Sequence, residues 1–336
     1  MLRSLRFWAG AGISALLIGL FLRATHPREL GNALEEANYW YLLPATVVLF
    51  AAIAVRCVRW SILMRPIAPL SAWRLFPYAI IGYMANNLLP ARAGEVVRAY
   101  VVADREKVST VGTFGTIAVE RLFDGSVLVL MLLVAGTWVG FDDGRLQAMA
   151  VASTVLFAGA VAAFYVLTLN EQRAKRVIHR LLKVLPERFE HRAEDMADNL
   201  VLSLRSVHNW RSLTMVVLLS AVAWTIEAGA YAVVGAGFHL GVGFPNYLLL
   251  LSAANLAIII PTFFGGTGPF EWAAKLTLVQ AGGVVGATAS AYSIVAHALV
   301  LIPTTILGLI LLWSFGVSFG RIRNMGEKEP VELAAP

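Results

Sequence analysis

The chain is 336 residues long, 58% hydrophobic and only 14% charged, with a mean hydropathy of +0.71, too apolar for an ordinary soluble domain. Its formal charge of +6 would suit nucleic acid, but most basic residues flank apolar runs. Topology and anionic lipid headgroups account for them, and nucleic acid is not expected as a partner.

A helical span needs roughly 20 apolar residues, and the best runs are 7–22, 40–63, 110–140, 147–168, 213–236 and 287–314. No alternating ten-residue strand pattern recurs, which argues against a barrel. The expected fold is an all-α polytopic membrane protein with about six full spans, two re-entrant or broken-helix elements and a possible inverted repeat. Residues 1–320 read as a single transmembrane domain and 321–336 as a disordered cytoplasmic tail.

In chain order, the first run follows Arg3 and Arg6 and has no convincing small-residue cleavage site, so it reads as a retained anchor. Those arginines place the N-terminus in the cytoplasm, and Arg56, Arg59 and Arg65 bring the second span back inside. Cys57 is the single cysteine, which excludes an internal disulfide and any multi-cysteine metal site. Arg92, Arg98, Arg105 and Lys107 form the next basic cluster, also expected inside. Only Pro77–Leu89 lies between the two clusters, too short to cross twice. It is expected to dip from the cytoplasm as an irregular re-entrant segment, buried in protein or lining a wet cavity.

Spans 110–140 and 147–168 lead out and back to a basic loop, 171–212, in which Phe189, Ala193, Met196, Leu200, Leu204 and Val207 recur at helical spacing. This amphipathic face either lies on the membrane or docks a protein partner. Span 213–236 exits and 287–314 re-enters, since Arg321, Arg323 and Lys328 mark a cytoplasmic tail. Residues 245–283 must then begin and end outside, as a second broken hairpin.

The two interrupted stretches share an order of Asn, Pro, Gly and Glu: Asn87, Pro90, Gly94 and Glu95 in the first, Asn255, Pro261, Gly265, Gly266, Gly268 and Glu271 in the second. Paired Gly/Pro-broken segments entering from opposite faces point to an inverted-repeat transporter with a midplane site. Where a helix restarts after Gly94 or Gly268, free N–H groups would suit an anionic headgroup. Arg92 and Arg98 either add bidentate phosphate contacts or snorkel as topological anchors.

A second polar knot, "VERLFDG", carries Glu120, Arg121 and Asp124 on one helix face near hydrocarbon. With Arg92, Glu95 and Arg98 it forms either a neutral buried network or part of a headgroup or proton site. Glu227 and His297 sit mid-span, each equally suited to an interhelical hydrogen bond or a functional role. Glu271 and Lys275 have the spacing of a helix-stabilising pair. No nucleotide loop, His-rich metal spacing or nucleophile elbow is present, so neither cofactor nor metal nor enzymatic activity is expected.

"NNLLPARAGEVVRAY", then "VERLFDG", then "IIIPTFFGGTGPFEWA" resemble, in order, the membrane domain of the lysylphosphatidylglycerol synthase family, also called flippase-like integral membrane proteins. The resemblance implies a bundle with two re-entrant elements that moves or holds a lipid in the cytoplasmic membrane. The cargo would be a phospholipid, a hopanoid-type lipid or a polyprenyl-linked sugar. The family's polar pattern falls on Asn87, Pro90, Arg92, Gly94, Glu95 and Arg98, on Glu120, Arg121 and Asp124, and on Pro261, Gly265, Gly266, Gly268 and Glu271. The family's full-length synthases carry a soluble aminoacyl-transfer domain, whereas only 315–336 follow the last span here. Synthase activity is therefore not expected; the alternatives are a flippase and a non-transporting lipid-binding partner of a lipid-synthesis enzyme.

Overall fold

The computed structural model describes residues 19, 27–89, 93–140, 143–168, 209–259 and 264–315. The first expected span, the amphipathic pattern of the 171–212 loop up to residue 208, the tail, and Pro90, Arg92 and Pro261 lie outside the described residues.

Within them the chain is all α-helical and polytopic: α1 (Pro27–Glu35), a 3-10 turn (Tyr39–Tyr41), α2 (Leu42–Met64), α3 (Ala72–Leu88), α4 (Gly94–Glu106), α5 (Thr110–Val139), α6 (Gly144–Thr168), α7 (Trp210–Gly237), α8 (Phe244–Ala257), a 3-10 turn (Phe264–Gly266), α9 (Pro269–Gln280) and α10 (Gly286–Ser314). Side chains fix several starts by accepting orphan backbone N–H groups. Ser71 caps α3, Ser109 caps α5 and Asn209 caps α7. The Asn209 cap explains why α7 begins at Trp210 rather than at residue 213, where apolar periodicity first becomes continuous.

Helices α2, α5, α6, α7 and α10 are long and apolar enough to cross a membrane, and all five coincide with expected spans. The 29 residues of α10 give a rod of about 43 Å, ample for a hydrocarbon core of about 30 Å. Helices α3, α4, α8 and α9 have 17, 13, 14 and 12 residues, or about 18–25 Å, and each alone is too short.

These four short helices form two antiparallel hairpins. In the first, Gly82 of α3 faces Arg98 of α4, and Gly94 at the start of α4 abuts Gly82 and Asn86. A Cβ on Gly94 would fall on the Gly82 carbonyl and the Asn86 backbone, so the tight crossing requires glycine there. In the second, Ile258 faces Gly266 and Val242 faces Gly282. The expected irregular dip over Pro77–Leu89 is instead regular helix to Leu88, with Pro77 accommodated inside α3. Backbone polar groups are satisfied by helix on both arms.

The order long, short, short, long occurs twice, as α2–α5 and α7–α10. Arg56 faces Glu227 while Asn38, before α2, bonds Gly237 at the end of α7, so the leading helices of the two units run antiparallel. Each unit's first short helix packs on the other's closing helix: α3 on α10 and α8 on α5. That exchange gives the pseudo-two-fold arrangement of an inverted repeat. Tryptophans mark the two ends: Trp73, Trp210 and Trp313 are exposed at one, and Trp40 and Trp138 at the other, as interfacial belts would require.

Candidate functional site: a polar cavity between the hairpin tips

Both hairpin tips end beside the middle of α10. Asn87, at the end of α3, donates from Nδ2 to the Leu301 carbonyl at 3.3 Å and to the hydroxyls of Thr304 and Thr305 at 3.1 and 3.0 Å. From the other end of the bundle, Gly265 (φ 66°) packs against Asn87 and Leu301, and its carbonyl faces His297 Nε2 at 3.3 Å. Gly308 lies against Met84 while the Tyr78 ring packs at a tilt on Phe315, so the first hairpin runs along the second half of α10. Glu271 and His297 bring the second hairpin alongside the first half.

A cavity of about 130 Å³ opens at this meeting point. Its polar lining comes from Arg56 on α2, Tyr83, Asn86 and Asn87 on α3, Arg121 on α5, Glu227 and Tyr231 on α7, Asn255 on α8, and His297 and Thr304 on α10; Leu49, Ile53, Val300 and Leu301 supply apolar walls. A volume of this size takes several waters or a small polar group.

Behind the rim lies a charged cluster. Arg98 forks onto Glu120 at 3.2 and 3.1 Å and covers the Trp60 ring at 3.4 Å. Arg59 pairs with Asp124 through both nitrogens, the second at 3.1 Å, and with Glu120 at 3.3 Å, and it donates to Ser220 at 2.6 Å. Arg121 reaches Glu120 at 2.7 Å, Asp124 at 3.3 Å and Glu95 at 3.8 Å. Trp224 donates to Asp124 at 3.0 Å. Four arginines, Arg56, Arg59, Arg98 and Arg121, thus balance Glu95, Glu120, Asp124 and Glu227, and the neutral sum is what makes so much buried charge tolerable.

Cavity lining rather than burial divides this cluster, since Arg56 and Glu227 are about as buried as Arg98 and Asp124. Arg59 and Glu120 are fully buried, and Arg98 and Asp124 nearly so; all four belong to the packing. Arg121, Arg56 and Glu227 face the cavity. Arg56 Nη2 lies 2.6 Å from Glu227 Oε2, out of line for a hydrogen bond, and Arg121 Nε also lacks one. Both atoms are themselves buried, as are the unpaired Nε atoms of Arg59 and Arg98, so these donors do not open onto the cavity.

Several expectations change. Glu95, Glu120, Arg121 and Asp124 do meet, but Arg98 is held by Glu120 and Trp60 and does not line the cavity. Arg56 and Arg59, read from sequence as topological markers, are core residues. The amides of Gly94 and Gly268 are not open to a phosphate: the first donates to Asn86 Oδ1 at 2.8 Å and the second to Glu271 Oε2 at 2.7 Å. Asn87, Gly265, Gly266 and Arg121 line the cavity, whereas Gly94, Gly268 and Glu271 shape it from behind. Glu271 faces His297 Nδ1 at 2.6 Å. The missed members, Arg56, Tyr83, Asn86, Trp224 and Tyr231, left one usable signal: an arginine and a glutamate, Arg56 and Glu227, each deep in an apolar run.

Among the described residues no group of three His, Cys, Asp or Glu side chains could hold a metal.

The family model described as the lysylphosphatidylglycerol synthase TM region matches residues 7–308. Two proteins of Methanothermobacter thermautotrophicus, both described as UPF0104 membrane protein, are 24% and 25% identical; the matches cover 77% and 93% of this chain and 81% and 95% of theirs. The glycosyltransferase AglD of Haloferax volcanii is 25% identical over 92% of this chain and 54% of its own. No solved structure matches.

Proposed function

Because the chain belongs to the lysylphosphatidylglycerol synthase transmembrane-region family, we propose that it is a lipid flippase of the cytoplasmic membrane, with α3–α4 and α8–α9 as re-entrant hairpins. The observation that carries this reading is the polar cavity where the two tips meet midway along α10. A headgroup could reach that point from either leaflet, while its acyl or isoprenoid tail stays outside the bundle. This is the site geometry expected of inverted-repeat transporters. Arg56 and Arg121 hold an anionic or sugar-phosphate headgroup, and the asparagines read its hydroxyl or ester oxygens. Both termini lie in the cytoplasm, by the basic residues flanking the spans.

One observation favours a second reading. The chain matches only 54% of a relative named a glycosyltransferase, so a related membrane unit occurs within a protein named for glycosyl transfer. Here the chain would hold a phospholipid, hopanoid-type or polyprenyl-linked lipid for an enzyme docked at 171–212, without moving it.

The test is a leaflet-asymmetry assay in vesicles holding purified protein and fluorescent phospholipid or polyprenyl-phosphate probes. Protein-dependent exposure of inner-leaflet probe to a membrane-impermeant quencher is the expected result. Tight binding of a probe with no exposure above protein-free vesicles would favour the second reading.

A further inference from the structure

We propose that His297 and Glu271 form a proton-operated catch that holds the second hairpin tip at the cavity, and that headgroup movement is coupled to the proton it takes up. The coupling half rests on the flippase reading; the catch itself does not.

Both ring nitrogens of His297 face acceptors. Nδ1 lies 2.6 Å from Glu271 Oε1, and Nε2 lies 3.3 Å from the Gly265 carbonyl oxygen. A neutral imidazole has one N–H, so with an ionised Glu271 it satisfies only one of the two. If the proton sits on Nδ1, a nitrogen lone pair confronts the Gly265 carbonyl. If it sits on Nε2, a lone pair confronts the carboxylate. One added proton removes the conflict, either as imidazolium with carboxylate or as Nε2–H imidazole with a protonated Glu271. The docked tip therefore holds one proton more than the pair does otherwise.

The ring cannot turn away from the conflict. It is buried, and Phe270 stacks on it at 4.2 Å between centroids and 15° between planes. Relief must come from the tip, where Gly265 at φ 66° also packs against Asn87 of the opposite hairpin. Loss of the proton thus loosens the second tip at the cavity wall, while Asn87 stays tied to α10.

The other charged or titratable groups at this cavity are Arg56 on α2, Tyr83 on α3, Arg121 on α5, and Glu227 and Tyr231 on α7. Arg56 is paired with Glu227, and Arg121 with Glu120 and Asp124. Glu271, on α9, is the carboxylate within ion-pair reach of His297 among the described residues. The sign follows: the docked tip binds the extra proton, so docking is favoured at low pH and lost as pH rises through the titration of the pair.

Hydrogen exchange of the Gly265–Lys275 peptide in purified protein, corrected for the intrinsic rate at each pH, reads the catch without any lipid substrate. In the unmodified protein, protection should fall several-fold as the pH is raised across the range in which the protein stays folded. Glu271→Gln should stay protected throughout: its amide donates to Nδ1, its oxygen accepts from Gly268, and a neutral Nε2–H serves Gly265. His297→Leu should stay unprotected throughout. Should that variant not fold, Glu271→Gln decides alone, and a pH profile in it matching the unmodified protein overturns the catch, as does a flat profile in the unmodified protein.

In vesicles, lipid movement should accelerate under an imposed pH gradient, and that acceleration should vanish in Glu271→Gln. Titrating exchange with lipid movement indifferent to the gradient overturns the coupling half alone. Titrating exchange with no lipid movement leaves the catch standing and removes the flippase reading. Flat exchange with lipid movement does the reverse.

Discussion

Asn87 at the tip of the first hairpin rests against Gly265 at the tip of the second, and both are tied to the middle of α10. Two half-length helical pairs enter from opposite ends of the bundle and meet there. The pseudo-two-fold relation extends to the charges behind the tips. In one unit a base on the short helix, Arg98, meets an acid on the closing helix, Glu120; in the other, Glu271 on the short helix meets His297 on the closing helix.

Glycine spacing at the first hairpin should be unforgiving. Gly94→Ala places a methyl group on the Gly82 carbonyl, and overpacking of this kind costs about 1–3 kcal/mol or more. Gly144→Ala, with open space around it, should leave the melting temperature in detergent unchanged. Equal melting temperatures for both variants would show that the arms are not in close contact.

The buried charges should behave as structure. Glu120→Gln leaves Arg59 and Arg98 short of their counter-charge, and breaking a buried pair costs about 3–5 kcal/mol. Arg98→Lys keeps the charge but loses the fork on Glu120 and the planar stacking on Trp60. Both should lower thermal stability and yield of folded protein in size-exclusion profiles. A well-folded but inactive Glu120→Gln protein would instead move Glu120 into the transport site.

Arg56 should behave differently because it faces the cavity. Arg56→Lys preserves the ion pair with Glu227 but loses the planar guanidinium fork of a cavity-lining residue, and one hydrogen bond to a charged group is worth about 1.5–3 kcal/mol. Probe movement in vesicles should fall by about tenfold or more while the melting temperature changes little. Unchanged movement would place the headgroup elsewhere.

The hairpin arrangement makes a topological prediction as well. In a Cys57→Ser background, cysteines at positions 65 and 105 should react with an impermeant reagent from one side of the membrane and a cysteine at 285 from the other. Arg65 and Val285 are exposed at opposite ends of the bundle. Opposite-side labelling of positions 65 and 105 would mean that α3 or α4 crosses the bilayer completely.

Sequence alone located the five spans that lie among the described residues, because an apolar run long enough to cross a bilayer has few other stable fates. It also located the two breaks, since Gly and Pro at helix ends act through the local backbone. The grouping of Glu95, Glu120, Arg121 and Asp124 was legible because charges near hydrocarbon require partners.

Tertiary structure decided which arginine serves which carboxylate. Local sequence places Arg59 beside a cytoplasmic cluster, yet the antiparallel packing of α2 against α5 and α7 buries it on Asp124 and Ser220. Arg98 and Arg121, similar in sequence, part company because Trp60 covers one and the cavity opens beside the other. His297 acquires its two acceptors only when a second hairpin, folded from residues 244–280, returns to the middle of α10. Such pairings are set by the register between distant helices, and no single helix encodes them.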